Sequence, residues 1–241
     1  MGTPRPRARI EAGIQTLSFT PIERRLYGRR KGRPLRTRKS QLVRDLLPQL
    51  EITLPEQGAL DPVSLFSFKP KALWLEIGFG GGEHLVAQAK RHPDHAFIGC
   101  EPFLNGVASL LDHIDREQVK NIRIFPDDAR RVLDALPEGS VGRCYVLFAD
   151  PWPKARHTDR RFIGPANLPR LARALQKGAE LCLATDDAQL GEWMTDVMDN
   201  AADFTRVRHE RTPPEDWVQT RYEEKGIKAG RAVIYMSYMR K

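Results

Sequence analysis

Long hydrophobic runs are missing from this chain. No apolar stretch approaches the roughly 20 residues that a membrane-spanning helix requires, so no membrane association is expected. Cysteine is scarce as well: Cys100, Cys144 and Cys182 are the only three. Each lies inside an apolar run and no Cys-x-x-Cys occurs, so they read as small buried hydrophobes rather than as a disulfide or metal framework. Histidine is sparse too. His92 and His95 stand three apart outside any metal-binding spacing pattern, so they read as loop residues and no metal is expected. No apolar segment follows the Arg- and Pro-containing start at Met1 to Arg9, and Gly2 lacks the downstream Ser or Thr of an acylation signal. The expected location is therefore the cytoplasm.

Acidic residues are rare in one part of the chain. Residues 1–45 carry 13 Lys and Arg against 3 acidic residues, whereas the remaining 196 carry 26 against 28. The net charge of +8 thus arises in an N-terminal arm, with its densest cluster at Arg29, Arg30, Lys31 and Arg33. A positive arm on a near-neutral globule points to a polyanionic partner, in the first instance nucleic acid. The bland alternative is a solvated tail that aids solubility. Pro4, Pro6, Pro21, Gly28, Gly32 and Pro34 interrupt the arm, and much of it is expected to be disordered without a partner. A short helix is expected over 40–50, and a Pro-containing linker over 51–70. The expected organisation is a basic arm over 1–45, suited to nucleic acid, and one folded domain over 46–241. Monomer and homodimer both remain open.

From residue 72 short apolar runs alternate with amphipathic ones. Strands are expected at 72–77, 96–101, 121–125, 143–149 and 179–185, and helices at 83–90, 106–115, 129–136, 167–175 and 188–200. Such alternation predicts a parallel sheet covered on both faces. Two further strands, 204–210 and 232–239, follow without a full helix between them and predict a terminal antiparallel hairpin. The expected fold class is α/β: a mostly parallel sheet with a terminal antiparallel hairpin, the architecture of a Rossmann-like seven-stranded methyltransferase.

The turn after the first strand reads Glu76-Ile-Gly78-Phe-Gly80-Gly-Gly82. Glycines there let the backbone turn sharply and approach a ligand. A dinucleotide fingerprint needs a glycine at the sixth position from Gly78, where Glu83 stands; a carboxylate also repels pyrophosphate. This disfavours a nicotinamide dehydrogenase. S-adenosylmethionine carries a sulfonium and an ammonium and no phosphate, which suits Glu76, Gly78, Gly80 and Gly82. Glu101 at the end of the second strand can accept from both ribose hydroxyls, and Asp128 after the third from the adenine amino group. Each acid could instead be a helix N-cap.

The fourth strand runs into Asp150-Pro-Trp152-Pro153. In open α/β sheets ligands sit beyond the carboxyl ends of the strands. Asp150 and Trp152 both precede a proline and are expected to be extended, which would preorganise a carboxylate and an aromatic ring. The alternative is a rigid turn whose Asp bonds its own backbone. The loop continues into Lys154, Arg156, Arg160 and Arg161, a cationic stretch suited to phosphates.

The segments Leu75-Glu-Ile-Gly-Phe-Gly, Asp150-Pro-Trp-x-Lys154-Ala-Arg-His157, Ala184-Thr-Asp186 and Thr220-Arg-Tyr-Glu223, in this order, resemble the bacterial tRNA (guanine-N7)-methyltransferases over roughly residues 20–241. The resemblance implies methylation of the guanosine at position 46 in the tRNA variable loop. It implies cofactor contacts from Glu76, Glu101, Asp128 and Asp150, and substrate contacts from Lys154, Asp186, Thr220, Arg221, Tyr222 and Glu223. RNA contacts would come from Arg156, His157, Arg160 and Arg161. Ala149 stands where the family commonly has Pro, and Pro153 where it commonly has His; residues 1–16 lie outside the resemblance. Guanine N7 carries no proton, so alignment rather than base catalysis is needed. Asp150 is the candidate to stabilise positive charge on the guanine ring. Asp186 and Glu223 are candidates for its N1–H and N2–H₂ donors, with Asp187 competing with Asp186 as a helix cap. Two other readings are a nucleic-acid methyltransferase acting on a different base atom, and a non-catalytic RNA-binding protein on a methyltransferase fold.

Overall fold

A computed structural model of the chain describes residues 26–215 and 217–241; the part of the arm over 1–25 lies outside them. Seven strands form one sheet in the order β3-β2-β1-β4-β5-β7-β6. They are β1 (Leu73–Ile77), β2 (Ala96–Cys100), β3 (Ile122–Phe125), β4 (Val141–Leu147), β5 (Leu175–Thr185), β6 (Phe204–Glu210) and β7 (Ile234–Arg240). β1 to β5 pair in parallel, while β7 runs antiparallel to both β5 and β6. The expected terminal hairpin is present, with β7 inserted between β5 and β6.

The parallel strands carry near-continuous apolar runs because both sheet faces are covered. Alternation of side chains along β1 sends Leu73, Leu75 and Ile77 into one core, with Ile98, Cys144, Val146 and Leu183. It sends Trp74 into the other, with Phe97, Tyr145 and Tyr235. The first core is closed by α5 (Ala129–Ala135), α6 (Leu168–Ala174) and α7 (Ala188–Asp199), the second by α3 (Glu83–Arg91) and α4 (Leu104–Glu117). Cys100 and Cys144 are buried free thiols, as expected of small hydrophobes, and Cys182 is half-buried.

Several boundaries depart from the sequence reading. The strand expected at 143–149 begins at Val141 and stops at Leu147, because Phe148 takes a left-handed φ of 51° that turns the chain out of the sheet. β5 begins at Leu175, four residues early, through exposed Gln176, Lys177 and Gly178 that carry no apolar signal. The helix expected over 40–50 is two: α1 (Thr37–Asp45) and α2 (Leu47–Leu50), with Pro48 in the first turn of the second, where its missing N–H is harmless. α1 packs on α4, and Arg38 bridges Asp112 and Asp115 at 2.7 Å each. The arm over 26–45 is therefore folded against the domain. An eight-residue helix, α8 (Arg221–Lys228), occupies the connection from β6 to β7, where no full helix was expected. Among the described residues no helix is long and apolar enough to cross a membrane, and no cluster of His, Cys, Asp and Glu could hold a metal ion.

Candidate active site

A cleft of about 680 Å³ opens beyond the carboxyl ends of β1, β2, β3 and β4. Its floor is the turn after β1, where Gly78, Gly80 and Gly82 take φ of 73°, 55° and 84°. A Cβ at Gly78 would meet no protein atom within 4 Å, so the bare backbone faces open space. At Gly80 the added carbon would lie 2.8 Å from the Tyr222 ring, which stands directly over the turn. The glycines thus serve two ends: left-handed geometry and close approach of backbone to whatever lies above it.

Glu101 is buried at the tip of β2. Its Oε2 accepts from the Gly80 N–H at 2.9 Å and its Oε1 from the Phe103 N–H at 2.9 Å. Burial raises its pKa, the two N–H donors work against that rise, and the charges of Asp150 and Glu76 add to it. Each carboxylate oxygen retains a further lone pair. Asp128 is also buried and caps α5, accepting from the Arg130 N–H at 3.0 Å, and its carboxylate is clasped by the Arg130 guanidinium at 2.5 to 2.9 Å. It lines the cleft while doing so. The cap alternative and the cleft position therefore coexist.

Glu76 sits differently. It follows Leu75 on β1 and so points to the opposite sheet face, where Oε2 lies 2.7 Å from His84 Nδ1 on α3. Both side chains are almost fully buried, and Glu76 is not among the residues that line the cleft.

After β4 the chain makes a corner. Asp150 is exposed at the cleft, and the Trp152 ring forms part of its wall. Trp152 is not extended: its φ is 43°, in the left-handed region. The preference of a pre-proline residue for extended backbone is overridden by Arg161. Expected among the RNA-facing cations, Arg161 is instead buried, donating from Nε to the Pro151 carbonyl at 2.9 Å and reaching the Trp152 carbonyl at 3.4 Å. It braces the corner from behind, with its guanidinium 5.1 Å from the Trp193 ring. Arg160, one residue earlier, lies 4.2 Å from the Tyr27 ring and 5.0 Å from the Trp152 ring. His157 meets the edge of Trp152 at 6.0 Å; burial lowers its pKa first, and the neighbouring Arg160, Arg156 and Lys154 lower it further. Lys154 and Arg156 project into solvent.

Asp187 caps α7, accepting from the Leu190 N–H at 2.8 Å, which releases Asp186 from that job. Asp186 instead accepts from Arg231 at 2.8 Å and packs against Gly226 of α8, where any side chain would collide with its carboxylate. Thr220 and Glu223 form the capping box of α8. Glu223 is buried: Oε2 accepts from Trp217 Nε1 at 2.7 Å and from the Thr220 N–H at 3.2 Å, and Oε1 from the Tyr235 hydroxyl at 2.5 Å. Expected to read the guanine edge, Glu223 has its oxygens committed to the fold. A signal for this was present in the Thr-x-x-Glu spacing, the sequence mark of a helix start. Of the pair Arg221 and Tyr222 on the first turn of α8, Tyr222 lines the cleft, whereas Arg221 lies outside it. Burial raises the Tyr222 pKa, and the Glu101 and Asp150 charges raise it further.

The arm contributes residues that the sequence reading left outside the cleft. Leu26, Tyr27, Gly28 and Arg29 line it. The strap is held by Arg30 on Asp127 at 2.7 Å, by the Leu104 N–H on the Arg30 carbonyl at 2.9 Å, and by Asn105, which bonds both the Gly32 N–H and the Arg33 carbonyl at 2.8 Å. A lone Tyr in a run of Arg was the available hint.

Residues 70–236 match a family model described as "Putative methyltransferase". The chain is 46% identical over 222 residues to the tRNA (guanine-N(7)-)-methyltransferase of Paramagnetospirillum magneticum, covering 90% of this chain and 93% of that one. It is 47% identical over 223 residues to the protein of the same name from Zymomonas mobilis, covering 90% and 94%. Among solved structures, the 16S rRNA methyltransferase KamB superposes with a TM-score of 0.55 at 16% identity, covering 77% of this chain and 96% of that chain, a likeness of fold.

Proposed function

This chain belongs to the tRNA (guanine-N(7)-)-methyltransferase family, and from that premise we propose how its residues divide the work of methylating N7 of a tRNA guanosine, the one at position 46. The observation that carries the reading is the convergence of bare glycine backbone with Glu101, Asp128 and Asp150 on one cleft. The Gly80 N–H, which a pyrophosphate would need, already donates to Glu101, so the turn suits a donor without phosphate. S-adenosylmethionine, when bound, supplies a methyl group activated by a sulfonium. Gly78 and Gly80 would lie against it, with Glu101 accepting from its hydroxyls and Asp128 near its base. Glu76, turned toward His84, supports the turn from the other sheet face.

Guanine N7 is an unprotonated acceptor, so no side chain has to remove a proton before attack. The residues instead align and stabilise. Trp152 and Tyr222 offer aromatic faces at the cleft, and base stacking of this kind is worth about 1–3 kcal/mol. Asp150 offers a carboxylate to the ring that becomes cationic, and Lys154 and Arg156 offer charge to the backbone. Asp186, the other acid expected at the N1–H and N2–H₂ donors, is paired with Arg231 and does not line the cleft, so it would have to exchange that partner to read the guanine edge.

The test is to incubate the protein with an unmodified tRNA transcript and labelled S-adenosylmethionine, then map the label. The expected product is 7-methylguanosine at position 46. A methyl on any other atom would favour the alternative of a different base methyltransferase, and binding without transfer the non-catalytic one.

Gly78→Ala is expected to preserve the fold at a strain cost of about 1–2 kcal/mol and to weaken S-adenosylmethionine binding by at least about tenfold. Calorimetric titration beside a thermal melt separates the two effects. A truncation distinguishes the parts of the arm. An arm that contacted only RNA would, on deletion of residues 1–39, raise the KM for tRNA and spare the cofactor. Tyr27, Gly28 and Arg29 line the cleft, so that deletion is now expected to weaken both, whereas deleting 1–25 should raise only the tRNA KM.

A further inference from the structure

A second recess of about 400 Å³ lies beside the cleft and shares Gly80, Phe103 and Tyr222 with it. Its walls come from α1 and the strap on one side and from α8 on the other. Four cations line it: Arg36, Lys39, Arg221 and Lys225. Arg36, Arg221 and Lys225 are exposed and Lys39 is half-buried.

These four differ from their neighbours. Arg30 is spent on Asp127, Arg38 on Asp112 and Asp115, Lys228 on Glu224 and Arg231 on Asp186. Among the described residues none of the four lining cations has an ion pair, and Lys225 is engaged only with the Tyr222 ring at 5.6 Å. No Asp or Glu lines the recess: Glu83 packs at Gly81 on its edge, Glu101 is turned to the Gly80 N–H, and Asp112 and Glu224 act on Lys39 and Arg221 only through space, without an ion pair. Four like charges gathered around a concave surface repel one another, and an anion relieves that repulsion. A guanidinium on each wall gives forked donors that match phosphate oxygens.

We propose that this recess binds a backbone phosphodiester of the tRNA next to the methylated nucleotide. The proposal rests on the tRNA reading of the cleft. A nucleotide drawn into the cleft past Tyr222 leaves its own backbone at the rim, on one side at Lys154 and Arg156 and on the other at this recess. The two cationic sets then hold the strand on both sides of the extruded base, and Tyr222 is the wall between base and phosphate.

The experiment compares tRNA binding by the wild-type chain, Arg36→Ala/Lys225→Ala and a control, Lys69→Ala/Lys177→Ala. The control removes the same charge from exposed positions at the opposite end of the strands. Dissociation constants for an unmodified tRNA transcript are measured across a salt series. The recess variant is expected to bind about tenfold more weakly near physiological salt, and its log–log salt slope should fall by about one to two, as for lost phosphate contacts. Its KM for tRNA should rise with kcat at saturation and S-adenosylmethionine affinity retained. An unchanged slope, or an equal loss in the control, overturns the subsite. Absence of methyl transfer by the wild-type chain would instead overturn the function, and the binding comparison would still decide the subsite.

Discussion

Replacing Asp150 by alanine is expected to lower methyl transfer by about 10²–10³-fold, the usual effect of removing one preorganised electrostatic partner of a developing charge. Asp150 is exposed at the mouth of the cleft, on a corner fixed by two prolines and by the buried Arg161. No described residue competes for its carboxylate by hydrogen bond or ion pair, and a Cβ at Gly28 of the strap would sit 3.9 Å from Asp150 Oδ2. A carboxylate so placed costs little to reorganise when guanine acquires positive charge. Asp150→Asn keeps the shape and loses the charge, and should recover little of the rate. Single-turnover measurement at saturating S-adenosylmethionine reads the chemical step, and equilibrium dialysis reads the cofactor. Wild-type turnover in either variant would remove Asp150 from this role.

Glu223→Ala should show its largest effect on stability. Its carboxylate takes the Tyr235 hydroxyl, the Trp217 indole N–H and the Thr220 N–H. Truncation strands these donors, one on Tyr235 inside the second core and one on Trp217 packed against it. At about 1–3 kcal/mol for each unsatisfied buried group, a loss of about 3–5 kcal/mol is expected, or roughly 10 °C in Tm for a domain of this size. Glu223→Gln retains one acceptor oxygen and should fall between. A residue that read the guanine edge would behave otherwise: Tm would hold while discrimination between guanosine and adenosine collapsed. An unchanged Tm with lost discrimination would restore the substrate role.

These variants turn on positions where the sequence carried only part of the message. The parallel strands were legible because burial on both faces demands apolar runs, and β1, β2, β3 and β6 fall within a residue or so of expectation. The early part of β5 was hidden by exposed Gln176, Lys177 and Gly178. The glycine turn and the cleft positions of Glu101, Asp128 and Asp150 were legible because their chemistry is local, whereas Glu76, expected beside them, faces His84 on the other side of the sheet. What a charged side chain faces was not. Arg161 and Arg160 are adjacent in a run that reads as uniformly basic, yet one is buried as a brace and the other is stacked between two rings. Asp186 and Asp187 likewise exchange roles only through the start of α7. Trp152 shows the limit of a backbone preference, since tertiary hydrogen bonds to its carbonyl and that of Pro151 hold a conformation that the following proline disfavours.

The insertion of β7 between β5 and β6 has a bearing on how the protein is made. β6 joins the sheet through β7 alone, and β5 keeps an open edge until β7 arrives. On the ribosome, the strands emerging first can pair as they appear, but the sheet cannot close until residues 234–240 have cleared the exit tunnel. During that interval the nascent chain presents an unpaired β5 edge, a stretch on which chaperone protection would matter most.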